Sequence, residues 1–401
     1  MSEAVCIFLL ATLSLQDAVN RAIAHSPELR MLEAQVAEAR ASATLANAFR
    51  PEASISTTPG YATGLPTAVL GQVPAIGTIE AHQLLYDASA RAQQIGAMSQ
   101  VETAIANLES RRREVAQNTA DLYARVSADK TLAASAQRRV DAYQTLATRT
   151  EALRGEGRVR DLDVDRATLQ VASAKRAALQ AQTRLELDQL RLDRTVGESN
   201  VEPTLSRLTP AESRRYVAEE NDPQLRSLNA RIDALQKALG SQNRFFLPTI
   251  AAQVQYSRLF DRYGRYYLNF KPDDFIVGAT ISLPVFSSGR RAATVARVNA
   301  QLQQILAARD ARRTELELSL REAEADLNQA LAERDLAARA HAVAEESLRI
   351  AEELVGEGRG EVNEVPLAQI TLADADDEVA NAAAHLAAAQ MKLMILRGEP
   401  I

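Results

Sequence analysis

Cysteine occurs once, at Cys6, so the chain can form neither an intrachain disulfide nor a thiolate cage for a metal. Cys6 reads instead as a small buried apolar residue. There is no basic excess either: 46 Lys and Arg stand against 52 Asp and Glu, a formal charge of -6 with the signs interspersed, which leaves no face for phosphate backbones. Nucleic acid is excluded as a partner. Long apolar runs are missing too, because the stretch from Val5 to Leu13 falls far below the ~20 residues a membrane-crossing helix needs, so no helix is expected to span a bilayer. Glu3 stands where a secretory signal has basic residues and no A-x-A site precedes Leu15, so residues 1–14 read at most as a signal remnant. Catalytic groupings are absent as well. No Ser/His/Asp set and no phosphate-binding glycine loop is found, and His25, His82, His341 and His385 have no ligand spacing, so no enzyme activity, metal or cofactor is expected.

What the chain has is repetition. His25-Ser26-Pro27-Glu28-Leu29-Arg30 reappears as Asn221-Asp222-Pro223-Gln224-Leu225-Arg226, and Gly155-Glu156-Gly157-Arg158 as Gly356-Glu357-Gly358-Arg359. Phe49-Arg50-Pro51 likewise matches Phe246-Leu247-Pro248, and Tyr86-Asp87-Ala88-Ser89 matches Phe286-Ser287-Ser288-Gly289. The spacing drifts only from 196 (221 minus 25) to 201 (356 minus 155). Such a period is far above the roughly 20 to 50 residues of a solenoid unit, so each copy is a structural half. The expected organisation is a first repeat over 15–196, a connection over 197–220 that forms a small packed side element, and a second repeat over 221–401.

Within each repeat the periodicity changes in the same order. Leu15 to about Ala48 has apolar residues at helical spacing and reads as one helix ended by Pro51, as does Asp222 to about Phe245 ahead of Pro248. Ile250, Ala252, Val254 and Tyr256 then alternate with small or polar residues, as do Phe275, Val277, Ala279, Ile281, Leu283 and Val285, which predicts a β-hairpin over about 249–286. Its loop carries Tyr263, Tyr266, Tyr267 and Phe270, candidates for an interfacial aromatic girdle or a loop plug. The first repeat has fainter strands at Ala53–Thr57 and Thr78–His82, within a hairpin over about 53–85 whose loop runs from Pro59 to Pro74. Each hairpin is followed by a very long helix, Ala88 to about Leu153 and Gly289 to about Val355, the first without a proline and spanning roughly 100 Å at 1.5 Å per residue. Leu316, Leu320, Ala323, Leu327 and Ala330 follow the seam of a coiled coil. Glycine turns at about 155–161 and 356–362 send each long helix back as a shorter one. Four strands per chain leave open edges, and strands near ten residues with alternating faces match a transmembrane β-barrel, so closure requires further copies.

This order of motifs resembles the TolC family of outer membrane efflux proteins over nearly the whole chain. The residues carrying the resemblance are Leu13-Ser14-Leu15-Gln16-Asp17-Ala18, Ser26-Pro27-Glu28-Leu29, Pro51, Pro248, Leu283-Pro284-Val285-Phe286-Ser287-Ser288-Gly289-Arg290 and the two glycine turns. It implies a mainly α protein with a β-barrel part, internally duplicated coiled-coil hairpins plus four strands per chain, closing as a trimeric α/β barrel in the outer membrane and reaching into the periplasm. The implied function is a passive export duct of a tripartite efflux or type I secretion system, with a periplasmic adaptor and an inner-membrane transporter as partners and outer membrane lipid around the strands. Gly157, Asp163, Val164 and Ala167, and Gly358, Glu364, Val365 and Ala368, match the family's hairpin tips. By that match Asp163 and Glu364 are expected at the entrance, and Gly157, Arg158, Val164, Gly358, Arg359 and Val365 at adaptor-docking tips. Leu367 stands where relatives have a second acid and Gly360 where they have a base, so the acidic ring is expected to be weaker and the latch altered. Val254, Tyr256, Val277, Ala279 and Ile281 are expected to face lipid. The competing reading, a soluble coiled-coil scaffold or a periplasmic adaptor, explains the helices but not strands with an apolar outer face.

Overall fold

The computed structural model describes residues 12–58, 76–198, 201–203, 221–243, 248–259, 273–283, 289–361 and 363–399. Cys6, the Pro59–Pro74 loop, the aromatic loop residues Tyr263, Tyr266, Tyr267 and Phe270, Val285 and most of the 197–220 connection lie outside them. The elements run β1 (Thr12–Leu13), α1 (Leu15–His25), α2 (Pro27–Leu45), β2 (Glu52–Thr58), β3 (Ile76–Tyr86), α3 (Ala88–Gly155), α4 (Asp161–Val196), β4 (Glu202–Pro203), α5 (Pro223–Asn243), β5 (Thr249–Leu259), β6 (Asp273–Ser282), α6 (Arg290–Gly356) and α7 (Glu364–Arg397). They form two compact units, one from residues 1–31, 108–223 and 312–401, the other from 32–107 and 224–311.

The first long helix of the sequence reading is two helices. Ser26 adopts an extended backbone (φ -62, ψ 118) because the following proline crowds the helical conformation, and Pro27 begins α2, where a missing N–H costs nothing. α5 starts in the same way at Pro223. Its preceding residue, Asp222, is buried and held by two bonds of 3.1 Å from Arg312. α1 is capped by Ser14, whose hydroxyl accepts from the Asp17 N–H at 3.1 Å and donates to the Asp17 carboxylate at 2.7 Å.

The unit formed by 32–107 and 224–311 contains a four-stranded antiparallel sheet of order β2-β3-β5-β6. β3 runs over eleven residues, longer than its faint alternation suggests, because it pairs with β2 on one side and β5 on the other. β6 ends at Ser282, so Leu283 lies beyond the strand, just ahead of Pro284.

The unit formed by 1–31, 108–223 and 312–401 contains the returning helices and the core of Leu13, Leu15, Val19, Tyr123, Val126, Leu192, Met391 and Ile395. Tyr123 is fully buried and donates its hydroxyl to the Leu13 carbonyl. Along α6 every seventh residue is buried: Leu316, then Ala323, Ala330, Ala337, Ala344 and Ala351. α7 repeats the pattern at Ala368, Ala375, Ala382 and Ala389. A seven-residue period with alanine knobs allows two helices to approach closely. α7 is also the one helix among the described residues that is, by length and composition, apolar enough to cross a membrane. Its apolarity is alanine, and its end carries core residues Met391 and Ile395, so it is a bundle helix.

Candidate functional site

Register fixes which strand residues share a face. Val254 pairs with Val277, Ala252 with Ala279, Ile250 with Ile281 and Tyr256 with Phe275, while β3 adds Ile79 and Ala81, and β2 adds Ala53 and Ile55. Val254, Tyr256, Val277, Ala279 and Ile281 therefore lie on one apolar face, where Ile55, Phe275, Val277 and Ile281 are each at least 66% exposed and no other described element covers them. The opposite face carries Ser54, Ser56, Glu80, His82, Gln253, Gln255 and Thr280, where Gln253 donates to Glu80 at 2.9 Å across strands. A register shift between Leu84 and Tyr86 adds a residue in β3 at the sheet's end. The outer strands, β2 and β6, have one unpaired edge each.

The two helical turns have the same hydrogen bonds. Gly157 (φ 72) donates to the Arg154 carbonyl at 2.8 Å and Arg158 to that of Leu153 at 2.9 Å; Gly358 (φ 69) donates to Val355 at 3.1 Å and Arg359 to Leu354 at 2.9 Å. This paired closure requires a left-handed residue after the helix, which glycine adopts without Cβ strain. Arg158 and Arg359 are exposed, and each reaches back to the glutamate two residues earlier, Glu156 or Glu357, at 3.3 Å. Val164 and Val365 are half-buried one turn on.

Beyond the turns the tips diverge. Asp163 accepts from the Arg160 backbone N–H at 3.3 Å, and Arg160 and Arg166 lie 3.5 and 3.7 Å from its carboxylate. Glu364 is exposed, with no hydrogen bond or ion pair to its carboxylate among the described residues. A Cβ on Gly360 would lie 2.9 Å from Leu354 Cβ and 3.1 Å from Glu364 Oε2, so this position has no room for a side chain. Leu367 is exposed.

Some fastenings could not be read from the sequence. Gly197 and Gly398 end α4 and α7 in the left-handed conformation, and Cβ atoms there would meet His25 at 2.9 Å and Asn221 at 2.7 Å, the two residues that open the repeated motif. Arg138 and Arg139 of α3 reach Asp376 and both Asp374 and Asp377 of α7. Asp129 is buried on α3, paired with Arg184 of α4 at 3.0 Å, with its Oδ2 unpartnered among the described residues. Burial pushes its carboxyl pKa up, and Arg184 opposes this. Signals for the exposed stripes were present: Leu336, Val343 and Ile350 recur every seventh residue on α6, as Leu162 and Leu169 do on α4. Among the described residues no cluster of three or more His, Cys, Asp or Glu is placed to hold a metal.

The model of the family described as outer membrane efflux protein matches residues 215–399. Among curated proteins none matches the sequence. Solved structures match over almost the whole chain at low identity: the outer membrane protein VceC from Vibrio cholerae, 19% identical, TM-score 0.76, covers 96% of this chain and 96% of its own. The CmeC outer membrane channel of Campylobacter jejuni is 14% identical, TM-score 0.77, over 96% and 85% of the two chains. The MtrE outer membrane channel of Neisseria gonorrhoeae in its open state is 15% identical, TM-score 0.71, over 96% and 89%. The family and these neighbours are channel proteins, not enzymes. The outer membrane efflux protein model thus matches residues 215–399, and the fold of the outer membrane channels extends over nearly the full length of the chain.

Proposed function

We propose that this outer membrane export duct works as a homotrimer that docks an inner-membrane transporter through a periplasmic adaptor. The observation that carries the reading is the sheet, with one exposed apolar face, one polar face and two open edges. An exposed edge of this length invites pairing, and three copies joined edge to edge give a barrel of about twelve strands with lipid outside and water inside. The 15–196 and 221–401 repeats would then alternate around the ring.

The helices support the same closure. Ser135, Arg138, Arg139 and Ala142 of α3 lie where its arginines bond α7. The corresponding face of α6, 201 residues on, is Leu336, Arg339, Ala340 and Val343, and it is exposed. A ring of duplicated chains puts that face against α4 of the next copy, where Leu162, Leu169 and Leu179 are exposed. The scaffold reading gives no account of the apolar sheet face.

The tips are the proposed working end. Gly157, Arg158, Val164, Gly358, Arg359 and Val365 form the adaptor-docking surface, and three copies of Glu364 line the entrance with Asp163 behind them. Glu364 carries the greater weight because arginines already neutralise Asp163. Three facing carboxylates attract cations.

The test is arginine scanning of the sheet in detergent-purified protein. Val277→Arg, on the lipid face, is expected to cost about 2 to 4 kcal/mol, while Thr280→Arg, facing the lumen, assembles as a trimer with normal conductance in planar bilayers. Equal loss from both, or a monodisperse monomer in detergent-free buffer, overturns the reading.

A further inference from the structure

His385 on α7 is bonded through both ring nitrogens to carboxylates of α6: Nδ1 lies 2.7 Å from Glu333 and Nε2 3.1 Å from Asp326. A neutral imidazole has one N–H and one lone pair, so it donates to one of these oxygens and turns its lone pair on the other. Only the imidazolium makes both contacts as hydrogen bonds. Asp326 and Glu333 are a heptad apart on either side of Ala330, which is fully buried. The ring thus bridges the two helices beside this buried seam residue.

We propose that His385 is a proton-operated clasp between the two helices of the second hairpin, closed while the ring is charged and released when it is neutral. The proposal goes beyond the duct itself and concerns how firmly the hairpin bearing Glu364 is held.

The two carboxylates in contact with the ring favour its charged form. Lys392 of α7 lies 4.0 Å from Asp326 and Gln329 of α6 donates to Glu333 at 2.7 Å, while His25 of α1, Glu28 of α2, Arg111, Asp121 and Arg125 of α3 and Arg191 and Arg194 of α4 line the same cleft. With the ring protonated, two cations, His385 and Lys392, offset two carboxylates. The hydrogen bond with Glu333 raises the imidazole pKa against the opposing effect of burial, and Asp326 adds to the rise. A histidine whose folded pKa exceeds its unfolded value of about 6.5 contributes its full stabilisation below that value and loses it as pH rises through the folded pKa. Acid closes the clasp and alkali releases it.

The first hairpin serves as an internal control. The position 201 residues before His385 is Arg184, which pairs with Asp129 at 3.0 Å, and a guanidinium keeps its charge throughout this range. The positions matching Asp326 and Glu333 are Arg125 and Leu132. His341 of α6 adds a lesser bridge, with Nε2 2.9 Å from Asp376, a carboxylate Arg138 already holds, and Nδ1 4.0 Å from Glu345.

The experiment is amide hydrogen exchange on the purified full chain in detergent at about pH 5.5 and about pH 8.5, corrected for the chemical exchange rate at each pH. Protection across 326–333 and 381–389 is expected to fall several-fold at the higher pH, while 125–132 and 180–188 hold steady. His385→Arg, the first hairpin's residue, is expected to keep its protection at both pH values; His385→Gln is expected to be less protected at both. Wild-type protection that ignores pH, or an unchanged pH response in His385→Gln, overturns the clasp. Should that variant fail to fold, ring-labelled NMR of the wild type decides. With only four histidines in the chain, the resonance missing from His385→Arg is expected to titrate above about 6.5, and a value at or below that overturns the proposal.

Discussion

The first hairpin, α3 with α4, and the second, α6 with α7, are closed by turns with matching hydrogen bonds and end at matching left-handed glycines, yet their seams are filled differently. Where the second has Leu316, Ala323, Ala330, Ala337, Ala344 and Ala351, the first has Val115, Leu122, Asp129, Ala136, Tyr143 and Thr150. Where α7 has four alanines, α4 has Ala167, Ala174, Ala181 and the buried Asp188, which Arg191 holds at 2.6 Å. Large side chains and the permanently charged Arg184 paired with Asp129 fix the first seam. The second relies on close alanine contact with carboxylate bridges at its flanks, some through histidine. Alanine buries little area, at roughly 25 cal/mol per Å², so flanking bridges weigh more there. A heptad frame fixes where helices touch and leaves open what fastens them.

Exchanging seam residues is expected to break this comparison most sharply. Leu122→Ala empties a buried site in the first hairpin and is expected to cost about 2 to 4 kcal/mol. The reverse change, Ala323→Leu, forces apart helices already in contact and costs about 1 to 3 kcal/mol. Thermal unfolding in detergent measures both; if Ala323→Leu stabilises, the second seam is not closely packed.

The turns should respond alike. Gly157→Ala and Gly358→Ala meet nothing within 4 Å, so each is expected to lose only the left-handed backbone cost of about 1 to 2 kcal/mol. Gly360→Ala, facing Leu354, is expected to displace the second tip, seen as faster proteolytic nicking there than at the first. Equal nicking of the two tips in that variant would remove the asymmetry.

The smallest effect is expected at the entrance. Glu364→Gln is expected to lower cation preference and multivalent-cation block in planar bilayers by about twofold, and Asp163→Asn by less because arginines already neutralise it. A larger effect from Asp163→Asn would reverse the assignment of the two carboxylates.

Elements with a strong local period were legible in the sequence: β5 and β6 from their alternation, the long helices from their lack of breakers, the turns from Gly157 and Gly358. The break at Pro27 was legible in principle, since proline is favoured at a helix's first turn, but Leu15 to Ala48 kept a helical period across it. β3 was half hidden because Gly77, Glu80 and Ala81 have little strand preference, and its partners impose the conformation. The His385 clasp was invisible because His385, Asp326 and Glu333 meet only once two helices are set in register. The lack of room at Gly360 depends likewise on a turn's three-dimensional closure.

The central pairing of the sheet joins β3 to β5, strands separated in the chain by the whole first helical hairpin and by α5. Closing so long a loop is slow, whereas each helical hairpin needs only neighbouring residues. For the proposed trimer the order of events during biogenesis follows: hairpins first, the four strands last, their edges joined only when other chains arrive. Until then the exposed edges and the bare face with Phe275, Val277 and Ile281 make the unassembled chain a client for holding chaperones, and its yield should depend on how fast it meets its own kind.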